Sequence, residues 1–186
     1  MRSAGEPRKM LRRTLLGALP AVFARAQYEE SRGDVPWVPS PDDVIDTMLR
    51  MAKVKSTDVV YDLGCGDGPI VIAAARKFGA RGVGVDIEPV RVQEAQAAAH
   101  AAGVTGRVSF FEQDLFQTDI REATVVTLYL FTKVIERLKP KLLAELRPGA
   151  RVVSYQFNGM GDWKPRQVVR KHKYPIYLWV VPRRRG

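Results

Sequence analysis

Between residues 41 and 157 the apolar positions change their period in a regular way. Val44, Ile45, Met48, Leu49 and Met51 recur at helical spacing behind Asp42 and Asp43, acidic residues that suit a first helical turn. The run DVVYDL (58–63) reads as a short buried strand, and residues 69–78 as a helix stopped by Gly79. GVGVDI (82–87) is a second strand, residues 88–102 an alanine-rich helix closed by Gly103, and RVSFFE (107–112) a third strand. ATVVTLYL (123–130), a helix over 133–146 and ARVVSYQF (150–157) continue the alternation. After Trp163, QVVRKHK and YPIYLWVV flank a short polar turn and predict a closing hairpin. Near-continuous apolar strands alternating with helices predict an α/β fold: a doubly wound, mostly parallel seven-stranded sheet ending in an antiparallel hairpin.

Composition agrees with one globular domain: 186 residues, 46% hydrophobic and 27% charged. The single Cys65 excludes an internal disulfide, and His100 and His172 lack ligand-spaced companions, so no metal site is expected. Both histidines read as surface residues.

The net charge of +10 divides into two parts. Half lies in residues 1–26, where six basic residues stand against Glu6, and the rest is concentrated late, from Lys164 and Arg166 to the run Arg183, Arg184, Arg185. The late charge suits phosphates, an anionic membrane surface or an acidic protein.

The first 27 residues have a basic start, a short apolar middle (Leu15 to Phe23) and Ala24-Arg25-Ala26, the layout of an export signal or an interfacial anchor. Residues 28–41 hold VPWVPSP, whose Pro36, Pro39 and Pro41 stiffen it into a linker or lid. The folded domain is then expected over residues 42–186.

YDLGCGDG (61–68) places Gly64, Gly66 and Gly68 directly after the first strand, where a doubly wound sheet binds its ligand. Glycines there let a ligand lie against the backbone. The spacing is G-x-G-x-G rather than the dinucleotide G-x-G-x-x-G, and Asp67 adds a carboxylate at the helix start that repels an anion. Asp62, ending an apolar strand, also asks for a cationic partner. Asp86 closes the second strand, where a carboxylate accepts from ribose hydroxyls, and Asp114 in EQDLF suits an adenine amino group beside Leu115 or Phe116. Together these point to S-adenosylmethionine, which carries a sulfonium and an ammonium.

YDLGCGDG, GVGVDIEP and EQDLF resemble the class I S-adenosylmethionine-dependent methyltransferases, with their Rossmann-like fold. VPWVPSP, ATVVTLYL, GDWKP and IYLWVVP make the resemblance more particular. They are similar to bacterial relatives of the mitochondrial lysine methyltransferases that act on the ATP synthase c-ring protein and the adenine nucleotide translocase. The resemblance implies a cofactor site with Asp62, Gly64, Cys65 and Gly66 on the turn. Asp86 and Ile87 would serve the ribose, and Asp114 and Leu115 the base. Trp37, Val38 and Pro39 of the lid would close over the methionine end.

The acceptor side is open to several readings. Protein lysine N-methylation is expected, with Tyr129, Tyr155, Phe157 and Trp163 as candidate walls of an aromatic slot. A nucleic-acid methyltransferase using the basic C-terminal edge, or a non-catalytic cofactor-binding protein, are the alternatives. Because S-adenosylmethionine is a cytoplasmic cofactor, a cytoplasmic or cytoplasmic-face location is expected, with the leader a peripheral membrane anchor. Its export layout leaves cleavage after Ala26 as the competing reading.

Overall fold

The structure, a computed structural model, describes residues 40–183. The segment expected to be a leader, the expected lid residues Trp37, Val38 and Pro39, and residues 184–186 lie outside the described residues.

Helix α1 (Asp42–Met51) buries the expected stripe, with Asp42 and Asp43 in its first turn. Strand β1 (Val59–Leu63) is buried along its whole length, and α2 (Pro69–Phe78) starts on a proline and stops at left-handed Gly79. Next come β2 (Arg81–Asp86), α3 (Pro89–Ala101), β3 (Val108–Glu112), the short buried β4 (Val125–Leu128) and α4 (Thr132–Glu145). The described chain ends with β5 (Arg151–Tyr155), β6 (Gln167–Lys171) and β7 (Tyr174–Val180).

The sheet order is β3-β2-β1-β4-β5-β7-β6. The first five strands pair in parallel, whereas β7 runs antiparallel to both β5 and β6, as the terminal hairpin predicted. The chain winds outward from β1 through β2 to β3, then returns to lay β4 on the other side of β1. That reversal opens the crevice in which such sheets bind ligands.

Two apolar layers cover the sheet. One holds Met48, Leu49, Val71 and Phe110, the other Leu138, Leu142 and Trp179. Alternation along the strands sends Val60 and Val125 into the first layer and Leu63 and Leu128 into the second. At the amino ends of the strands, Asp58 accepts from Thr124 Oγ1 (2.8 Å), the Lys55 amide (2.9 Å) and the Arg151 guanidinium. Arg151 also donates to the Ala52 carbonyl at 2.7 Å, so this cluster ties α1, β1, β4 and β5 together.

Two strands are shorter than their apolar runs. The fourth pairs only over Val125–Leu128, leaving Tyr129 and Leu130 beyond its end. The fifth stops at Tyr155 because Gln156 turns left-handed, with φ of 68°.

Candidate functional site

The turn after β1 is left-handed three times in five residues: φ is 83° at Gly64, 53° at Gly66 and 80° at Gly68. A Cβ on Gly68 would stand 2.6 Å from Phe110 Cε1 and 3.0 Å from Ala95 Cβ. Backbone conformation and packing therefore demand these glycines, a cause separate from the ligand approach expected of them. The amides of Gly64 and Cys65 both donate to the Val85 carbonyl at 2.9 Å, pinning the turn to β2.

Asp86 braces the same turn. Its Oδ2 accepts from the Gly66 amide at 2.9 Å and its Oδ1 from the Glu88 amide at 3.0 Å. An ionised carboxylate offers about four lone-pair positions, so acceptor capacity for two ribose hydroxyls remains. Ile87 follows it, 43% exposed.

Asp62 is 3% exposed and accepts from Thr127 Oγ1 at 2.7 Å. Its pKa is raised to about 7 overall: burial is the largest cause, the Thr127 bond works against it, and the Asp86 charge adds a smaller upward push. A buried carboxyl poised at neutrality fits a cationic ligand beside it. The Cys65 thiol is buried and pushed upward by that burial, then by the Asp62 and Asp86 carboxylates, so it stays protonated and is a poor nucleophile.

Beyond β3, the Gln113 amide donates to the Asp86 carbonyl at 2.9 Å, placing EQDLF beside the second strand end. Asp114 Oδ1 accepts from the Phe116 amide at 2.8 Å, a local turn that leaves Oδ2 outward, 3.4 Å from Gln117 Nε2. The Arg137 guanidinium lies 3.7 Å over the Phe116 ring, so one face of that ring is taken. Leu115 is half-buried beside it.

At the ends of β4 and β5 the structure assembles aromatic rings. Leu63 pairs with Leu128, and Leu128 with Ser154, so Tyr129 and Tyr155 stand level with Gly64. Both tyrosines fall on the sheet face that carries Asp62 and Thr127. Ring centroids of Tyr129 and Tyr155 are 5.0 Å apart, those of Tyr129 and Phe157 6.3 Å. Phe131 packs edge-on against Phe157 at 5.3 Å and Tyr174 against Tyr155 at 6.0 Å. The Tyr129 and Tyr155 phenols are pushed upward by burial and then by neighbouring tyrosines.

Trp163 does not join this cluster. It packs against Trp179 at 6.4 Å, and its carbonyl accepts from Trp179 Nε1 at 2.8 Å, on the opposite layer. Conversely Phe131, Gln156 and Tyr174 belong to the cluster and were not expected there. Tyr174 arrives through the hairpin, a long-range pairing with no local signal.

The β6–β7 turn also reaches α1. Asp43 is held by Lys171 Nζ at 3.1 Å and His172 Nε2 at 3.0 Å. His172 is thus an exposed residue with a partner, while His100 is simply exposed. Pro41, the residue that precedes α1, lies at this same edge. Among the described residues no group of three or more His, Cys, Asp or Glu is placed to hold a metal.

A family model, the ANTKMT methyltransferase domain, matches residues 62–167, more than half the chain. A protein-lysine N-methyltransferase of Saccharolobus islandicus is 49% identical over 152 residues, covering 79% of this chain and 94% of that protein. The mouse (Mus musculus) adenine nucleotide translocase lysine N-methyltransferase is 34% identical over 150 residues, covering 81% of this chain but only 65% of the mouse enzyme. A solved RNA methyltransferase from Salinibacter ruber, in complex with S-adenosyl-L-homocysteine, superposes with a TM-score of 0.78. It is 50% identical and covers 80% of this chain and 97% of that one.

Proposed function

The chain belongs to the ANTKMT methyltransferase domain family, and from that premise we propose that it methylates the side-chain amine of a lysine in a protein. It is an S-adenosylmethionine-dependent methyltransferase with the Rossmann-like fold of its relatives. The observation that carries the lysine reading is the aromatic cluster built on Tyr129, Tyr155 and Tyr174, level with the glycine turn and on the face of Asp62, with Phe157 reaching Tyr129 from beyond the strand end while packing against the opposite layer.

When bound, S-adenosylmethionine supplies a methyl group already activated on a sulfonium. The protein's task is to hold donor and acceptor in line. In this reading Asp86 accepts from the ribose hydroxyls, Asp114 accepts from the adenine amino group beside Leu115, and Asp62 balances the positive methionine end. A lysine with a reference pKa of about 10.4 is neutral in only roughly one molecule in 2,500 at pH 7. Partial desolvation among aromatic rings raises that fraction. Residues 28–41 would close the site through Trp37, Val38 and Pro39. The domain would face the cytoplasm, where the methyl donor is made, with the leader held at the membrane surface.

One observation favours a second acceptor. Lys164, Arg166, Arg170 and Lys173 are exposed and make no ion pair among the described residues, a surface that suits a phosphate backbone. The Salinibacter relative is described as an RNA methyltransferase. Incubating the protein with methyl-tritiated S-adenosylmethionine and a cell lysate separates the two. Label removed by protease and recovered as methyl-lysine supports the protein reading; label removed by ribonuclease refutes it.

A further inference from the structure

Three non-glycine residues among those described have a left-handed backbone: Lys53, Gln156 and His172. Lys53 lies just past the end of α1 and His172 in the β6–β7 turn, places where such a conformation is routine. Gln156 instead ends a parallel strand at the candidate site. A long side chain in this region is disfavoured and persists only where its surroundings impose it. Here the imposing contacts are specific. The Gln156 amide donates to the Pro175 carbonyl at 2.7 Å, Phe157 N–H to the Tyr155 carbonyl at 2.8 Å, and Ser154 Oγ to the Phe157 carbonyl at 2.8 Å. The outcome is that the Gln156 amide group meets Tyr129, whose hydroxyl donates to Gln156 Oε1 at 3.3 Å.

We propose that Gln156 and Tyr129 seat the acceptor lysine as a neutral amine, each accepting one of its two N–H groups, so that the nitrogen lone pair faces the methyl donor. The inference rests on the lysine reading above and adds to it the residues that orient the nucleophile.

Hydrogen-bond capacity supports the match. Tyr129 gives its one proton to Gln156 and so keeps its lone pairs, while Oε1 keeps its second lone pair. Two acceptors suit an amine with two N–H groups; an ammonium brings three donors and no lone pair. The charged groups around the cluster agree. From α1 comes Asp43, already held by Lys171 and His172 of the hairpin; from β1 comes Asp62, held by Thr127; the remaining titratable neighbours are the phenols of Tyr155 and Tyr174. Among the described residues, then, Asp43 is already ion-paired and Asp62 already accepts from Thr127.

The step balances simply. The lysine loses a proton to solvent before it is seated. Its lone pair then forms the N–C bond as the C–S bond breaks, and that electron pair stays on sulfur. The product leaves as the methylated ammonium, so one proton is released for each methyl group transferred.

The test measures methyl-lysine formation on the pooled proteins of a lysate from cells lacking this chain, across a series of protein concentrations and pH values. Gln156→Asn shortens the side chain but suits a left-handed backbone better than glutamine does. It should leave the melting temperature unchanged or raised while lowering kcat by roughly threefold to tenfold, the range of one neutral hydrogen bond. Gln156→Glu adds a carboxylate of the same shape and should move the acidic limb of kcat upward by about one pH unit, since an opposite charge favours the ammonium. Wild-type kcat and pH profile in both variants would overturn the proposal, as would a parallel fall of rate and melting temperature in Gln156→Asn, which marks a structural role. Absence of methyl-lysine with the wild-type protein would instead overturn the lysine reading itself.

Discussion

Replacing Asp62 by asparagine separates what this residue does for the ligand from what it costs the fold. Asp62 is 3% exposed, and its pKa is pushed up to about 7, mainly by burial. In the unfolded chain an aspartate titrates near 3.9, so the gap is about three units, or about 4 kcal/mol at 1.36 kcal/mol per unit. The sign follows from which state holds the proton. Below about pH 4 both states are protonated and there is no penalty; between 4 and 7 the folded state keeps a proton that the unfolded chain has lost. The destabilisation therefore grows as pH rises and is complete above 7. Asparagine carries no charge and can still accept from Thr127. At pH 8, Asp62→Asn should stabilise the ligand-free protein by up to about 4 kcal/mol, on the order of 10 °C in melting temperature, with no gain at pH 4. The variant should bind S-adenosylmethionine more weakly, because a cationic ligand favours the carboxylate. For the wild type, affinity should rise between pH 6 and 8, with a proton released on binding. Titration calorimetry in two buffers of different ionisation enthalpy counts that proton. A variant no more stable than wild type at pH 8, or wild-type binding that releases no proton near pH 7, would refute the reasoning.

Asp86→Ala removes the carboxylate that braces Gly66 and Glu88; cofactor binding should weaken by about 1.5–3 kcal/mol by calorimetry, and unchanged affinity in a folded variant would remove it from the ribose role. Gly68→Ala combines a left-handed backbone with a Cβ 2.6 Å from Phe110 Cε1, and urea unfolding should show a loss of about 2–4 kcal/mol. Gly103→Ala, left-handed but with no atom within 4 Å of its Cβ, should cost less and isolate the backbone contribution. Burial works to raise the Asp58 pKa, but hydrogen bonds from Arg151, Thr124 and the Lys55 amide outweigh it and hold the carboxyl below its usual range. Its stabilisation is therefore present above about pH 4 and lost as pH falls through the lowered value. Asp58→Asn should cost about 2–4 kcal/mol at pH 7 and progressively less in acid, read by thermal melts across pH.

The parts of this protein that were legible in its sequence are those set by neighbours along the chain. The period changes marked α2 at its observed ends, because Pro69 and Gly79 punctuate it. Gly64, Gly66 and Gly68 announced a turn that only glycine can make, and Asp86 and Asp114 followed strands whose ends converge in any parallel sheet. The acceptor side was harder to read, because it is made by residues distant in sequence. Tyr129 and Tyr155 share a face only through the β1, β4 and β5 register. Tyr174 reaches them through the hairpin that folds back beside β5. Phe157 keeps its place near Tyr129 because Gln156 breaks the strand, and no residue-type rule assigns a left-handed backbone to glutamine. Trp163, equally aromatic, is drawn to the opposite layer by Trp179. The partnership of His172 with Asp43 was likewise invisible, since 129 positions separate them.

The central claim is that the methyl group ends on a lysine nitrogen. Incubating the protein with trideuteromethyl S-adenosylmethionine and lysate proteins, then sequencing peptides by mass spectrometry, locates the label on individual side chains. Deuterated methyl groups on lysine ε-nitrogens, absent when Asp86 is replaced by alanine, are the expected result. Label confined to RNA, or to side chains other than lysine, would contradict the account.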